Sequence, residues 1–152
     1  MIFEGKLLLS INSFKSAVKL IECIDELIGL GLDSVFVIYV IEAGRSGISM
    51  GIINEYQEKL ENIKLNISAK GLAVNSKLVI GVPHKEIIKA ADEYDCSVIL
   101  ISSHNQSLFE QVSLEETNYE VLKRSTKPVL IEKLYKGENN KIEQYCEIKF
   151  NT

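Results

Sequence analysis

Two histidines, His84 and His104, and three cysteines, Cys23, Cys96 and Cys146, are all the imidazole and thiol chemistry in 152 residues. His84 falls just inside an expected helix start at Pro83, a place for a solvated or capping side chain. His104 follows the apolar run CSVILISS (Cys96 to Ser103) and is the better placed of the two to touch a ligand. No cysteine or carboxylate stands at metal-ligand spacing from either histidine. Ser102 and Ser103 lack the G-x-S-x-G context that would make a nucleophile of one of them. Neither G-x-x-x-x-G-K-[ST] nor G-x-G-x-x-G occurs. The expectation is therefore no catalytic residue and no metal site, and hydride or phosphoryl transfer by those routes is excluded. The cysteines are far apart and odd in number, which argues for thiols in a reducing compartment, with Cys23 and Cys96 as inert core residues.

What must position these residues is an alternation of strand-like and helix-like segments. KLLLSIN (Lys6 to Asn12) is a nearly continuous apolar run, as expected of a strand buried on both faces. Ser13 can cap the next helix, where Ala17, Leu20, Ile21, Ile24, Leu27 and Ile28 recur at helical spacing before Gly29 and Gly31. SVFVIYVIE (Ser34 to Glu42) is the second strand. A glycine-rich connection, AGRSGISMG, leads to a long helix with Ile52, Tyr56, Leu60, Ile63 and Ile67 on one face, closed by Gly71. SKLVIG is the third strand, and Pro83 opens a helix lined by Ile87, Ile88 and Ala91. CSVILISS is the fourth strand. A fourth helix is expected over Leu114 to Arg124 with Leu114, Val121 and Leu122 inward, and TKPVLIEK is the fifth strand.

That order predicts an α/β fold: a five-stranded parallel sheet, order 3-2-1-4-5, with helices on both faces in the Rossmann-like manner. Residues 1–135 form the expected domain, and residues 136–152 a C-terminal extension. Within the extension, Ile142 to Phe150 alternates like a strand that could pair at an edge. Ligands of such sheets bind beyond the carboxyl ends of the strands. Here that means Ser10 to Ser13, Tyr39 to Glu42, the Gly81-Val82-Pro83 turn, Ser102 to Ser107 and the end of the fifth strand.

Composition narrows the classes. The net charge is −4 and Lys and Arg are scattered among acids, so the basic stripe of a nucleic-acid binder is missing. No stretch approaches the roughly 18 apolar residues of a membrane span, and MIFEGKLLLSIN is too short in its apolar part for a signal peptide. The expected location is cytoplasmic.

The order of elements, the run GVPHKEIIKAADEYDCSVILISSH (Gly81 to His104) and the closing LKRSTKPVLIEK (Leu122 to Lys133) resemble the universal stress protein family. The similarity extends over about Lys6 to Lys133. It implies a homodimer through the last strand, here Pro128 to Glu132. The bland counter-reading is that the tail strand covers that edge within one chain. It also implies an ATP site of the form G-x-x-G-x9-G-[ST] after the fourth strand, with an Asp at the end of the first. Laid on without gaps, the three glycines fall on Ser102, Asn105 and Glu115, the hydroxyl residue on Glu116 and the aspartate on Asn12, so all five positions differ.

Asn105 is the mildest change, because Asn visits the left-handed region that glycine serves. Glu115 and Glu116 are expected at a helix start, where they would supply an anion from within the chain. At ~5 Å from a phosphate, each would add roughly 3 kcal/mol of repulsion at an effective dielectric near 20. The implied function is a non-catalytic regulatory or stress-response module, dimeric and acting with a protein partner, without a resident cofactor. The alternative keeps ATP or another adenine nucleotide, or a less charged small ligand, in a cleft lined by Asn12, Val40, Ser102, Ser103, His104 and Asn105. ATP hydrolysis or adenylyl transfer is disfavoured, because SINSFKS is not glycine-rich and no H-x-G-H pair occurs.

Overall fold

Leu7, Leu8 and Leu9 follow one another in strand β1 (Gly5–Ile11), and each is 0% exposed. Successive side chains of a strand point to opposite faces, so three consecutive buried leucines require cover on both. The sequence supplies it. Leu7 and Leu9 join a core with helices α1 (Phe14–Ile28) and α2 (Met50–Ser68), and Leu8 joins a second core with α3 (Pro83–Glu93) and α4 (Leu108–Arg124). Full burial of each leucine contributes roughly 1.5–3 kcal/mol. This computed structural model describes residues 5–44, 46–102, 108–136 and 142–149.

The sheet order is β3-β2-β1-β4-β5-β6, with β2 at Leu32–Glu42, β3 at Ala73–Gly81, β4 at Val98–Ser102, β5 at Val129–Lys136 and β6 at Ile142–Lys149. The first five strands run parallel in the expected order 3-2-1-4-5. β6 is added antiparallel to β5, from Lys136↔Ile142 to Val129↔Lys149. The outer side of Pro128 to Glu132 is thus occupied within the chain, and β6 takes the edge that the family resemblance gave to a second copy.

The helices follow their local signals. On α1, Ala17, Leu20, Ile24 and Leu27 form the buried face. Ser49 caps α2, its hydroxyl accepting from the Ile52 backbone N–H at 3.2 Å. After α2, Gly71 takes φ +89, a left-handed turn that a side chain would strain. Pro83 occupies the first turn of α3, where its missing N–H has no partner to lose. The inward face of α3 is Ile87, Ala90 and Ala91, while Ile88 is turned toward α4.

Two expectations change. Helix α4 begins at Leu108, well before Leu114, so positions 115 and 116 lie in its middle and not at its start. Without glycine at 115, nothing in SLFEQVSLEET interrupts the helix, and Leu, Glu and Gln are good helix formers. The dipole argument for the two glutamates therefore falls. Cys23 is disulfide-bonded, where an inert thiol was expected, while Cys96 is a free and buried thiol.

Candidate ligand cleft at the ends of the first and fourth strands

β1 and β4 are neighbours in the sheet, so their carboxyl ends bring Asn12 and Ser102 to the same rim. β2 adds Val40, half-buried and packed on the core beneath α3 and α4. Ser10, 9% exposed, lies one turn of the pleat below Asn12. Three rings hold the β1–α1 turn: Phe14, the first residue of α1, stacks on Tyr39 at 4.8 Å, and Tyr56 of α2 meets them edge-on at 5.1 and 5.2 Å. Each such pair contributes ~0.5–1.5 kcal/mol beyond its burial. Lys59 stands over the outer ring, 5.5 Å from the centroid of Phe14.

The β4 end is built differently. Ser102 is 1% exposed, and its hydroxyl donates to Oε2 of Glu132 at 3.1 Å. Glu132 is the partner of Ser102 in the β4–β5 register and is 0% exposed. From α4, the Asn118 amide Nδ2 donates to the Ser102 carbonyl at 2.8 Å. Asn118 Oδ1 is buried and has no hydrogen-bond partner among the described residues. The first position of the implied phosphate motif is thus spent on an internal polar cluster. It ties β4 to β5 and α4, and its acceptors are the Glu132 carboxylate and the Ser102 backbone carbonyl.

Glu116 is exposed and faces a groove of about 810 Å³ between α3 and α4, together with His84, Glu120 and Arg124. Arg124 Nε donates to Glu120, and this bond holds the Glu120 carboxyl below its usual range. The groove is the outer face of the helix pair, apart from the strand ends. Asn12, Val40 and Ser102 come together at the rim; Glu116 does not join them. Ser103, His104, Asn105 and the side chain of Glu115 lie outside the described residues. Among the described residues, no three His, Cys, Asp or Glu side chains are placed to hold a metal ion. No described helix is long and apolar enough to cross a membrane.

Sequence reasoning missed Glu132 and Asn118. The signal for Glu132 was present as an acid closing the apolar run VLI in a strand expected to be buried. Asn118 gave none, because one polar residue on a helix carries no mark of what it faces.

A parallel α/β sheet of order 3-2-1-4-5 with helices on both faces defines a Rossmann-like fold. Residues 17–133 match the model of the universal stress protein family, and the chain belongs to that family. A universal stress protein of Methanocaldococcus jannaschii, MJ0577, is 34% identical over 82 residues, which are 54% of this chain and 51% of the relative. The match thus spans about half the length of that curated relative. The solved structure of MJ0577 superimposes with a TM-score of 0.73 at 24% identity, covering 90% of this chain and 100% of that one. A universal stress protein of Archaeoglobus fulgidus solved in complex with dAMP has a TM-score of 0.63 at 21% identity, covering 86% and 98%. A further universal stress protein structure, in complex with cAMP, has a TM-score of 0.58 at 15% identity, covering 85% and 96%.

Proposed function

We propose that this chain is a non-catalytic regulatory module of the universal stress protein type, in which ATP binding by the family motif is weakened or lost. The observation that carries this reading is at the end of β4. Ser102 stands on the first glycine position and is locked to Glu132 and Asn118, and α4 runs unbroken through positions 115 and 116. A phosphate cradle needs backbone N–H groups presented at a turn or helix start. Within a helix those groups are bonded to carbonyls one turn back. The module works in the cytoplasm through a protein partner. Its homodimer, if it uses a sheet edge on this side, uses that of β6.

The second reading keeps a small ligand at the rim, and it is favoured by the neighbours solved with dAMP and cAMP. Asn12 and Val40, with Ser103, His104 and Asn105, would then hold an adenine nucleotide or a less charged relative of it. Calorimetry of the purified chain with ATP, dAMP, cAMP and adenosine separates the two. No heat from ATP up to millimolar concentration is expected. Binding at micromolar affinity overturns the loss, and binding of adenosine or a monophosphate alone selects the second reading.

A further inference from the structure

β3 closes the sheet on the side away from β6, and β2 is its one strand neighbour among the described residues. We propose that the outer edge of β3 receives an extended segment of another protein with a carboxylate opposite Lys77, and that the same lysine turns away a second copy of this chain. A bare edge strand invites pairing, and proteins blunt such edges with short strands, bulges, proline or charge. β3 uses little of this. It runs for nine residues without proline and matches β2 unbroken from Ser34↔Ala73 to Glu42↔Gly81. Its one charge is Lys77, at the middle. Among the described residues, no ion pair neutralises that charge.

The two faces of β3 set the rest of the chemistry. Val74 and Leu78 pack on the core beneath α1 and α2, and Ile80, on the same face, is 49% exposed. Lys77 stands opposite Ile38, and with Val79 it lies on the face that α3 covers. A segment that extends the sheet therefore needs apolar residues at alternate positions, against Leu78 and Ile80, and an acid on the other face beside Lys77. Backbone bonds give such an added strand its affinity, and the alternate side chains choose the partner. A second copy meets the apolar half of this requirement and fails the charged half. Paired antiparallel across a two-fold axis, full overlap sets Ala73 against Gly81, Val74 against Ile80, and Lys77 of one copy directly against Lys77 of the other. Like charges directly opposed destabilise a ladder. A slip of two residues shortens the overlap and leaves the lysines as diagonal neighbours, roughly 7–8 Å apart along the backbone. This edge is apart from the strand ends, so the nucleotide calorimetry above and the test below can fail separately.

Lys77→Glu turns the full chain itself into the acidic strand. Mixed in equal amounts with wild type, it sets a glutamate opposite Lys77 in the two-fold register. The outward-facing amides of Ala73–Gly81 should then exchange at least tenfold more slowly than in either protein alone, with Gly5–Ile11 unchanged. This readout does not depend on whether the chain already pairs elsewhere. Lys77→Leu removes the repulsion without adding an acid, and it should protect the same amides by itself as its concentration rises. That arm stands even if the acidic variant does not fold. Equal rates in the mixture and the separate folded proteins, no self-protection by Lys77→Leu, or concentration-dependent protection of β3 in wild type alone would each overturn the inference.

Discussion

Strands β1 and β4, neighbours in the sheet, end in opposite ways. β1 runs into Asn12 and a turn held from behind by Phe14, Tyr39 and Tyr56, so the support is apolar and lies beneath the rim. β4 ends in Ser102, whose hydroxyl and carbonyl are both engaged by side chains from other elements. On the β1 side the rings carry the turn, and Asn12 is half-buried above them. On the β4 side the chain has filled its own hydrogen-bonding capacity with an acid and an amide. Two neighbouring strand ends of one rim are thus held in different ways, one by apolar support and the other by an internal polar cluster.

Removing Glu132 should have the largest effect on this contrast. Glu132→Ala strands the Ser102 hydroxyl and leaves a cavity, and a loss of about 2–4 kcal/mol in urea unfolding is expected. Glu132→Gln, which can still accept from Ser102, should recover most of it, and a loss below ~1 kcal/mol for the alanine variant would show the cluster to be dispensable. Next comes restoration of the motif by Ser102→Gly, Asn105→Gly, Glu115→Gly and Glu116→Ser together. Calorimetry should then show ATP affinity raised at least tenfold, about 1.4 kcal/mol. No gain would mean that the β4 end is closed for reasons beyond these four side chains. On the β1 side, Tyr56→Leu removes two edge-on ring contacts and should cost about 1 kcal/mol. Asn118→Ala removes one hydrogen bond from the other side for about the same or less.

A pH dependence at Cys96 tests the packing away from the rim. Its thiol lies at about 11 in the fold against 9.0 as the ordinary value, raised mainly by burial. The unfolded chain therefore loses this proton first as pH rises. The contribution to stability is intact below pH 9 and is lost between 9 and about 11. Cys96→Ala should flatten that stretch of the stability profile, and an unchanged slope would assign it to other groups.

The sheet was legible because β1 to β5 and the helices α1 to α3 carry clear periods: continuous apolar runs for buried strands and three-to-four spacing for helices. The beginning of α4 was not, since SLFEQVSLEET mixes apolar and polar residues without a decisive stop or start. Its extension through 115 and 116 withdrew the electrostatic argument made from Glu115 and Glu116. The non-local pairings were beyond local pattern altogether. The bonds from Ser102 and Asn118 join residues that only the folded topology brings together. Of the rim, Asn12, Val40 and Ser102 could be placed by strand-end reasoning, whereas Glu132 required knowing which strand lies beside β4.

The antiparallel β6 also bears on how the molecule assembles. Joining β1 to β4 brings together segments some ninety residues apart, as the bond from the Ser97 hydroxyl to the Lys6 carbonyl illustrates (|i−j| = 91). That closure is slow because chain entropy opposes it. β5 and β6 instead meet as a hairpin, Lys136 against Ile142, and hairpins form in roughly microseconds. β5, the last of the parallel strands, thus has a local route to a partner for its outer edge. For β5, protection against association with other unfinished chains is a matter of rate as well as of the final structure.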